Sequence, residues 1–239
     1  MKRIVCIIFV ILSLNLVAHA ADDLSLVSGG KDFSVPTKIL VFLTILSLIP
    51  TFVIALTSFT RIVVVLSFLR QSMSLQQVPS GQVIVALALI LTFYVMWPTG
   101  QGVYTSAVKP YMAGELSPQD AMDKGFKPIS KFMLKQTSEK EVLLFYKLAN
   151  LPRPKIKDDI PAHVLIPAFM LSELKTAFQM GFLIYLPFLI IDLIVSSLLM
   201  SMGMLMIPPI MISLPFKLLI FVLADGWTLV VSSLVQSFH

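Results

Sequence analysis

The chain is poor in thiol, in histidine and in charge, and each shortage removes a class of function. Its one cysteine, Cys6, lies in a start segment (MKRIVCIIFVILSLNLVAHA) with a basic Lys2-Arg3, an apolar core Ile4–Val17 and small residues at Ala18 and Ala20. That is the layout of a secretory signal cut after Ala20, in preference to a first membrane anchor, because the core is short and Asp22-Asp23 follow at once. A mature chain without Cys6 carries no thiol, which excludes disulfides and cysteine metal sites. The histidines are His19, His163 and His239, too scattered for a ligand pair, and no GxSxG, HExxH or P-loop string occurs. The sequence therefore offers no catalytic constellation and implies no cofactor. The excess of 18 basic over 13 acidic residues is interspersed rather than clustered. No aromatic–basic pattern for base stacking accompanies it, so nucleic acid is excluded as a partner.

Apolar residues make up 57% of the chain and charged ones 13%, where soluble domains hold about 45–50% and about 25%. Uncharged runs long enough to cross a bilayer recur, and the reading is an all-α membrane protein. Ile39–Phe59 carries no charge. Pro50 predicts a kink within it, because proline cannot donate to the carbonyl one turn back. Its hydroxyls, Thr44 and Ser47 among them, suit contact between helices. Arg61 and Arg70 bracket a second apolar piece; Arg61 fits either positive-inside anchoring or a packed contact between helices. Val83–Trp97 is only fifteen residues before Pro98, short for a hydrocarbon core of about 30 Å unless the helix starts earlier.

Thr99–Pro161 is the soluble-looking region. Ser117-Pro118 reads as a capped helix start, followed by Met122, Phe126, Ile129, Phe132 and Met133 at helical spacing. Ser138-Glu139-Lys140-Glu141 is a capping-box pattern opening a second amphipathic helix. The prolines at 152, 154, 161 and 167 predict an extended return.

The last third, Glu173–Trp227, organises the rest. The runs Gly181–Met200 and Leu214–Val235 flank a connector crowded with Met200, Met202, Met204, Met206 and Met211, broken by Pro208-Pro209. Ionisable groups sit in or beside the apolar surface: Glu173, Lys175, Asp192, Lys217 and Asp225. Such groups face protein or water rather than lipid, and Arg61, Lys175, Asp192 and Asp225 are expected to be buried. Lys217 and Asp225 are eight residues apart, so their partners are expected on other helices or subunits. The methionines are either adaptable filler or a deformable seal. The divisions that result are 1–20 signal, 21–37 periplasmic arm, 38–98 first helical hairpin, 99–166 periplasmic helical region and 167–239 second hairpin with the Met-rich loop. Signal cleavage puts Asp22 outside, Arg61–Gly81 inside, Thr99–Pro161 outside and the Met-rich connector inside.

The strings ELKTAFQMGF (Glu173–Phe182), LPFLIIDL (Leu186–Leu193), LPFKLLIFVLADGW (Leu214–Trp227) and TSFTRIVVVLSFLR (Thr57–Arg70) are long and idiosyncratic. They resemble the FliP family of flagellar type III export-gate proteins, with similar counterparts in virulence systems. The resemblance implies two kinked hairpins that assemble, with further copies and with FliQ- and FliR-like proteins, into a helical oligomeric gate in the bacterial inner membrane at the flagellar basal body. Unfolded flagellar export substrates would pass through it. Much of the apolar sequence would then pack on protein above the bilayer. It implies a pore gasket at Met204, Leu205 and Met206, and intersubunit charge contacts at Glu173 and Lys217. The alternative is a secondary transporter or proton-channel subunit with Asp192, Glu173 and Asp225 as relay groups.

Overall fold

A computed structural model describes residues 35–75, 79–152, 160–204 and 208–238. All regular structure among them is helical: α1 (Val35–Leu56), α2 (Phe59–Ser72), α3 (Gly81–Val103), α4 (Lys109–Met112), α5 (Pro118–Gln136), α6 (Glu139–Leu148), α7 (Ala162–Ser201), α8 (Pro209–Leu223) and α9 (Gly226–Gln236). The signal segment and nearly all of the arm lie outside the described residues.

The chain divides into two compact units, Met1–Phe52 and Val53–His239. In the first, the described part of α1 exposes Ile39, Leu40, Leu43, Leu46 and Leu48. Thr44 and Ser47 make local bonds. Their hydroxyls donate back to the carbonyls of Leu40 and Thr44 on α1 itself. Pro50 lies inside the helix, and the chain breaks later, at Thr57-Ser58, where α1 ends and α2 begins.

In the second unit α2 is the centre. Ile62, Val65, Leu66, Leu69 and Met73 recur at helical spacing and are essentially inaccessible. They pack on Ile84, Ala88 and Leu91 of α3, Ala177 and Phe188 of α7, Phe221 of α8 and Leu234 of α9. The fit of α2 on α7 depends on Gly181, where a Cβ would come within 2.6 Å of the Phe68 ring. The short apolar piece between the two arginines is thus the best-buried helix of this unit.

α7 has 40 residues and is about 60 Å long, twice the hydrocarbon thickness of a bilayer. Near its start Val164 and Ala168 receive Val142 and Tyr146 of α6, while Leu165 and Phe169 receive Met133, Phe126, Ile129 and Phe132 of α5. Further along it packs on α2. Much of the apolar face expected on each amphipathic helix is therefore covered by the chain's own α7, although Met122 of the first and Leu148 of the second stay exposed. Both starts are capped by serine: Ser117 Oγ accepts from the Asp120 amide at 3.2 Å and Ser138 Oγ from the Lys140 amide at 3.4 Å.

Two proline expectations are corrected. Pro98 does not stop α3, which continues through a π turn (Tyr104–Val108) into α4 to give one 32-residue helix, Gly81–Met112. The π turn precedes Pro110, which has no N–H to give; widening the turn accommodates it. Pro167 lies inside α7 rather than in an extended return. The last apolar run bends by 65° between α8 and α9, not at Pro215, which stays helical, but at Asp225 in the left-handed conformation (φ 48°, ψ 50°). Gly226 follows because a Cβ there would meet the Phe221 ring at 2.2 Å. Among the described residues two helices, Gly81–Met112 and Ala162–Ser201, are long and apolar enough to cross a membrane, or up to four spans if each bent helix pair counts as one. Both long helices run across the expected divisions at 98/99 and 166/167.

Candidate functional site

Two buried polar clusters hold the second unit together, each built from a cation on one helix and a carboxylate on α7. In the first, Arg61 leaves the N-terminal turn of α2 and is 2% exposed. A guanidinium offers five N–H donors in a fixed fork, and all five are used. Nε donates to Glu173 Oε2 at 3.0 Å and Nη2 to Glu173 Oε1. Nη2 also donates to Gln136 Oε1 at 3.1 Å, and Nη1 reaches both the carbonyl and the hydroxyl of Ser237 at 3.0 Å. The guanidinium carbon lies 4.0 Å from the centre of the Phe238 ring, a cation–π contact. Gln136 closes the set by donating to the Phe238 carbonyl at 2.9 Å. One arginine so ties α2, α5, α7 and the chain end together. Arg61 thus makes a packed contact between helices, and its bond to Gln136 sets it on the same side as the 99–161 region, not across a membrane from it as expected from the sequence.

The second cluster is built on Lys217 of α8, 1% exposed. Its three donors are also all used: Asp192 Oδ2 at 2.7 Å, Ser74 Oγ at 2.9 Å and the Ser72 carbonyl at 3.0 Å. Ser213 donates to the other oxygen of Asp192 at 2.6 Å. The ammonium therefore neutralises a carboxylate of α7 and caps the C-terminal end of α2, where the helix dipole favours a cation. The partner of Lys217 is on another helix, as expected, and it is Asp192 of the same chain.

A third pair is weaker. Lys175 reaches Glu141 Oε1 at 3.0 Å, with the lysine 53% exposed and the carboxylate 7%. Beside it Ser172 accepts from the Ser138 amide and donates to the Gln136 carbonyl, both at 3.1 Å, which fixes the α5–α6 corner on α7. Hydrogen bonds from Ser138 and Lys175 hold the Glu141 carboxyl below its ordinary range, against the opposing effect of burial.

Of the four expected buried charges only Arg61 is fully buried; the Asp192 side chain is 30% exposed, and Lys175 and Asp225 are exposed. Lys175 snorkels out along α7 to meet Glu141, and Asp225 stands exposed at the bend between α8 and α9, where a left-handed residue has no helix around it. Glu173 and Lys217, expected at intersubunit contacts, both have partners within the chain. Of the gasket residues, Met204 is 42% exposed at the end of α7; Leu205 and Met206 lie outside the described residues. Met200, Met202 and Met211 around the same connector are exposed as well, and Gly203 turns the chain there with φ 75°. The sequence reading missed Gln136, Ser74, Ser213 and Ser237. Polar residues of these types are ordinary in sequence, and only the fold brings them to the two cations.

Among the described residues no three His, Cys, Asp or Glu side chains gather at one point; the buried cations Arg61 and Lys217 have every donor used, while Glu141 keeps one oxygen, Oε2, without a partner. A helical membrane protein whose ion pairs fasten helices together is the class these features define. Comparison with known sequences narrows it: the model of the FliP family matches residues 34–234, and the chain belongs to that family. It is 50% identical over 211 residues to the "Flagellar biosynthetic protein FliP" of Bacillus subtilis, covering 88% of this chain and 96% of that one. The protein of the same name from Aquifex aeolicus is 48% identical over 231 residues, 96% and 97% of the two chains. That of Buchnera aphidicola (subsp. Acyrthosiphon pisum) is 48% identical over 225 residues, 94% of this chain but 58% of the longer relative.

Proposed function

We propose that this chain is a core channel-forming subunit of the flagellar type III protein export gate in the bacterial inner membrane. Copies of it, with FliQ- and FliR-like proteins, surround a pore through which unfolded flagellar subunits leave the cytoplasm. At rest Met204, Leu205 and Met206 close that pore. Residues 1–20 serve as a signal removed on export, and the α5–α6 region faces the periplasm. The chain does no chemistry of its own; other export components supply the energy.

The observation that carries this reading is a contrast in the last hairpin. One arm is fastened to α2 by the Arg61–Glu173 pair and the other to the first by Lys217–Asp192 and to the end of α2 by hydrogen bonds, while Met200, Met202, Met204 and Met211 around the connector are exposed. Unbranched thioether chains adapt to a passing polymer and close behind it. The middle position is Leu205, branched and stiffer but of nearly equal volume, so the seal keeps its bulk. The competing proton-relay reading needs carboxylates free to take up protons. Glu173 and Asp192 each face a buried cation instead, and Asp225 is a bend residue.

The test is ion leakage through the assembled gate in cells. Replacing Met204 and Met206 by alanine is expected to raise resting conductance while leaving the melting temperature of the purified subunit unchanged. Unchanged conductance in a variant that still assembles would refute the seal.

A further inference from the structure

The end of α7 is closed by a backbone turn that the ion pairs do not account for. Gly203 takes φ 75°, the left-handed region that glycine enters freely and an ordinary side chain disfavours by roughly 5- to 30-fold in population. A Cβ added at Gly203 meets nothing within 4 Å. Gly181 and Gly226 differ, since a Cβ at either would strike a phenylalanine ring. What Gly203 supplies is therefore a backbone conformation and not room.

Three amides close the helix around it. Met202 donates to the Leu198 carbonyl at 3.1 Å, Gly203 to the Met200 carbonyl at 3.1 Å and Met204 to the Leu199 carbonyl at 3.0 Å. The last two bonds, with a left-handed residue between them, form the helix stop in which the chain turns back over its own final turn. Were α7 to run on, Met204 would stand over Met200, about 5.4 Å further along the axis. The stop instead ties the Met204 amide to Leu199, a residue only 7% exposed, and leaves the Met204 side chain accessible at 42%. Its backbone is fixed and its thioether is free.

The hairpin around this turn has little slack. Asp192, about two turns before Leu199, is bonded to Ser213 and Lys217 of α8, so the two arms are fastened near the connector. α8 starts at Pro209 with Pro208 as its N-cap. Only three residues separate Met204 from Pro208, and four residues of chain reach at most about 14 Å. In so short a link, the direction in which Met204 leaves α7 is decisive.

We propose that Gly203 is a positioning residue for the seal: its left-handed turn stops α7 and sets Met204 at the mouth of the connector. The inference rests on the seal reading above and adds what aims it.

Gly203→Ala and Gly203→Asn separate conformation from space. Alanine is small but resists the left-handed region; asparagine is larger yet enters it readily. Both variants are expected to fold, because the added side chain meets open space. Hydrogen exchange at the Met204 amide of the purified subunit reads the turn, and resting ion conductance of cells carrying the assembled gate reads the seal. The alanine variant should exchange that amide about 5- to 30-fold faster than wild type and leak as Met204→Ala/Met206→Ala does. The asparagine variant should stay close to wild type in both. Equal leakage in the two Gly203 variants overturns the proposal, because bulk and not conformation would then be at fault. Unchanged exchange in the alanine variant overturns it too, since the turn then survives a side chain. A sealed alanine variant beside a leaking Met204→Ala/Met206→Ala variant overturns it while leaving the seal standing. If the methionine variant itself does not leak, the seal reading falls and this inference falls with it.

Discussion

The sharpest test of the frame is to take the charge off Glu173. Its side chain is inaccessible and receives two bonds from Arg61, whose remaining donors go to Gln136 and Ser237. Glu173→Gln keeps the shape but leaves a guanidinium buried without a counter-charge. Removing one partner of a buried pair costs about 3–5 kcal/mol, whereas replacing both by apolar groups is often near neutral. Interhelical hydrogen bonds in membranes average only about 0.6 kcal/mol, because the unfolded chain in the bilayer also finds partners. A stranded charge has no such escape, so the larger figure applies. At about 2–4 °C per kcal/mol for a protein of this size, Glu173→Gln should lower the melting point by roughly 6–20 °C. Arg61→Met should do the same, and it also leaves the Ser237 and Gln136 oxygens without donors. The double variant Arg61→Met/Glu173→Met should recover most of the loss. Thermal unfolding of the detergent-purified protein reads all three. If the double variant loses the sum of the single losses, the two side chains are not coupled and the lock is wrong.

Three further outcomes follow from the same geometry. In the second cluster the partners differ in access, Lys217 at 1% and Asp192 at 30%. Asp192→Asn, which strands the enclosed ammonium, should therefore cost more in melting temperature than Lys217→Met, whose orphaned carboxylate can be hydrated; the reverse order would mean the cation is not enclosed. Glu141 has a depressed carboxyl, so its contribution to stability is full above the unfolded value of 4.5 and is lost as pH falls through the lower folded value. Melts from pH 7 to pH 3.5 should show an acid-side decline that Glu141→Gln removes, and an unaltered decline in the variant would place the titration elsewhere. At the α8–α9 bend, a non-glycine residue in the left-handed region costs about 1–3 kcal/mol. Asp225→Gly should thus leave stability equal or higher with export retained, and loss of export in a stable Asp225→Gly protein would restore the relay reading.

Apolar periodicity made the helices and their buried faces legible. Ile62, Val65, Leu66 and Leu69 repeat at helical spacing, and so do Phe126, Ile129, Phe132 and Met133, so each face was visible before its partner was known. The serine starts at Ser117 and Ser138 were legible for the same reason: an N-cap is a local hydrogen bond. Prolines misled. Pro98 and Pro167 stand where the sequence predicts an end or an extended return, yet each lies within a helix, because packing on α2, α5 and α6 outweighs one lost backbone bond. Two breaks without a proline fall at Thr57-Ser58 and at Asp225; the second carries a local signal, the Asp225-Gly226 dipeptide. The close approach of Phe221 to Gly226, a contact between positions five apart, is what the local signal does not record. The charges were visible as anomalies in apolar surroundings, but their pairing was not. Arg61 and Glu173 are separated by more than a hundred residues, and Ser237 and Phe238 join them only because the chain end folds back.

Where each buried charge finds its counter-charge determines what can form before assembly. The five donors of Arg61 and the three of Lys217 all end on atoms of one chain. A cation held in reserve for a neighbouring copy would show an open donor, and neither does. An intersubunit contact through Glu173 or Lys217 therefore requires either that a cis pair open or that a neighbour add to carboxylate lone pairs already in use. Both are costly for groups this deeply enclosed. Cheaper adhesion is available from the apolar residues that α7 and α8 leave uncovered, such as Phe182, Leu183, Leu193, Phe216 and Leu219. In lipid these cost nothing to expose, and against another helix they gain only by shape and close packing. The division of labour is then physical: charge fixes the fold of the subunit, and apolar surface is left to meet whatever surrounds it.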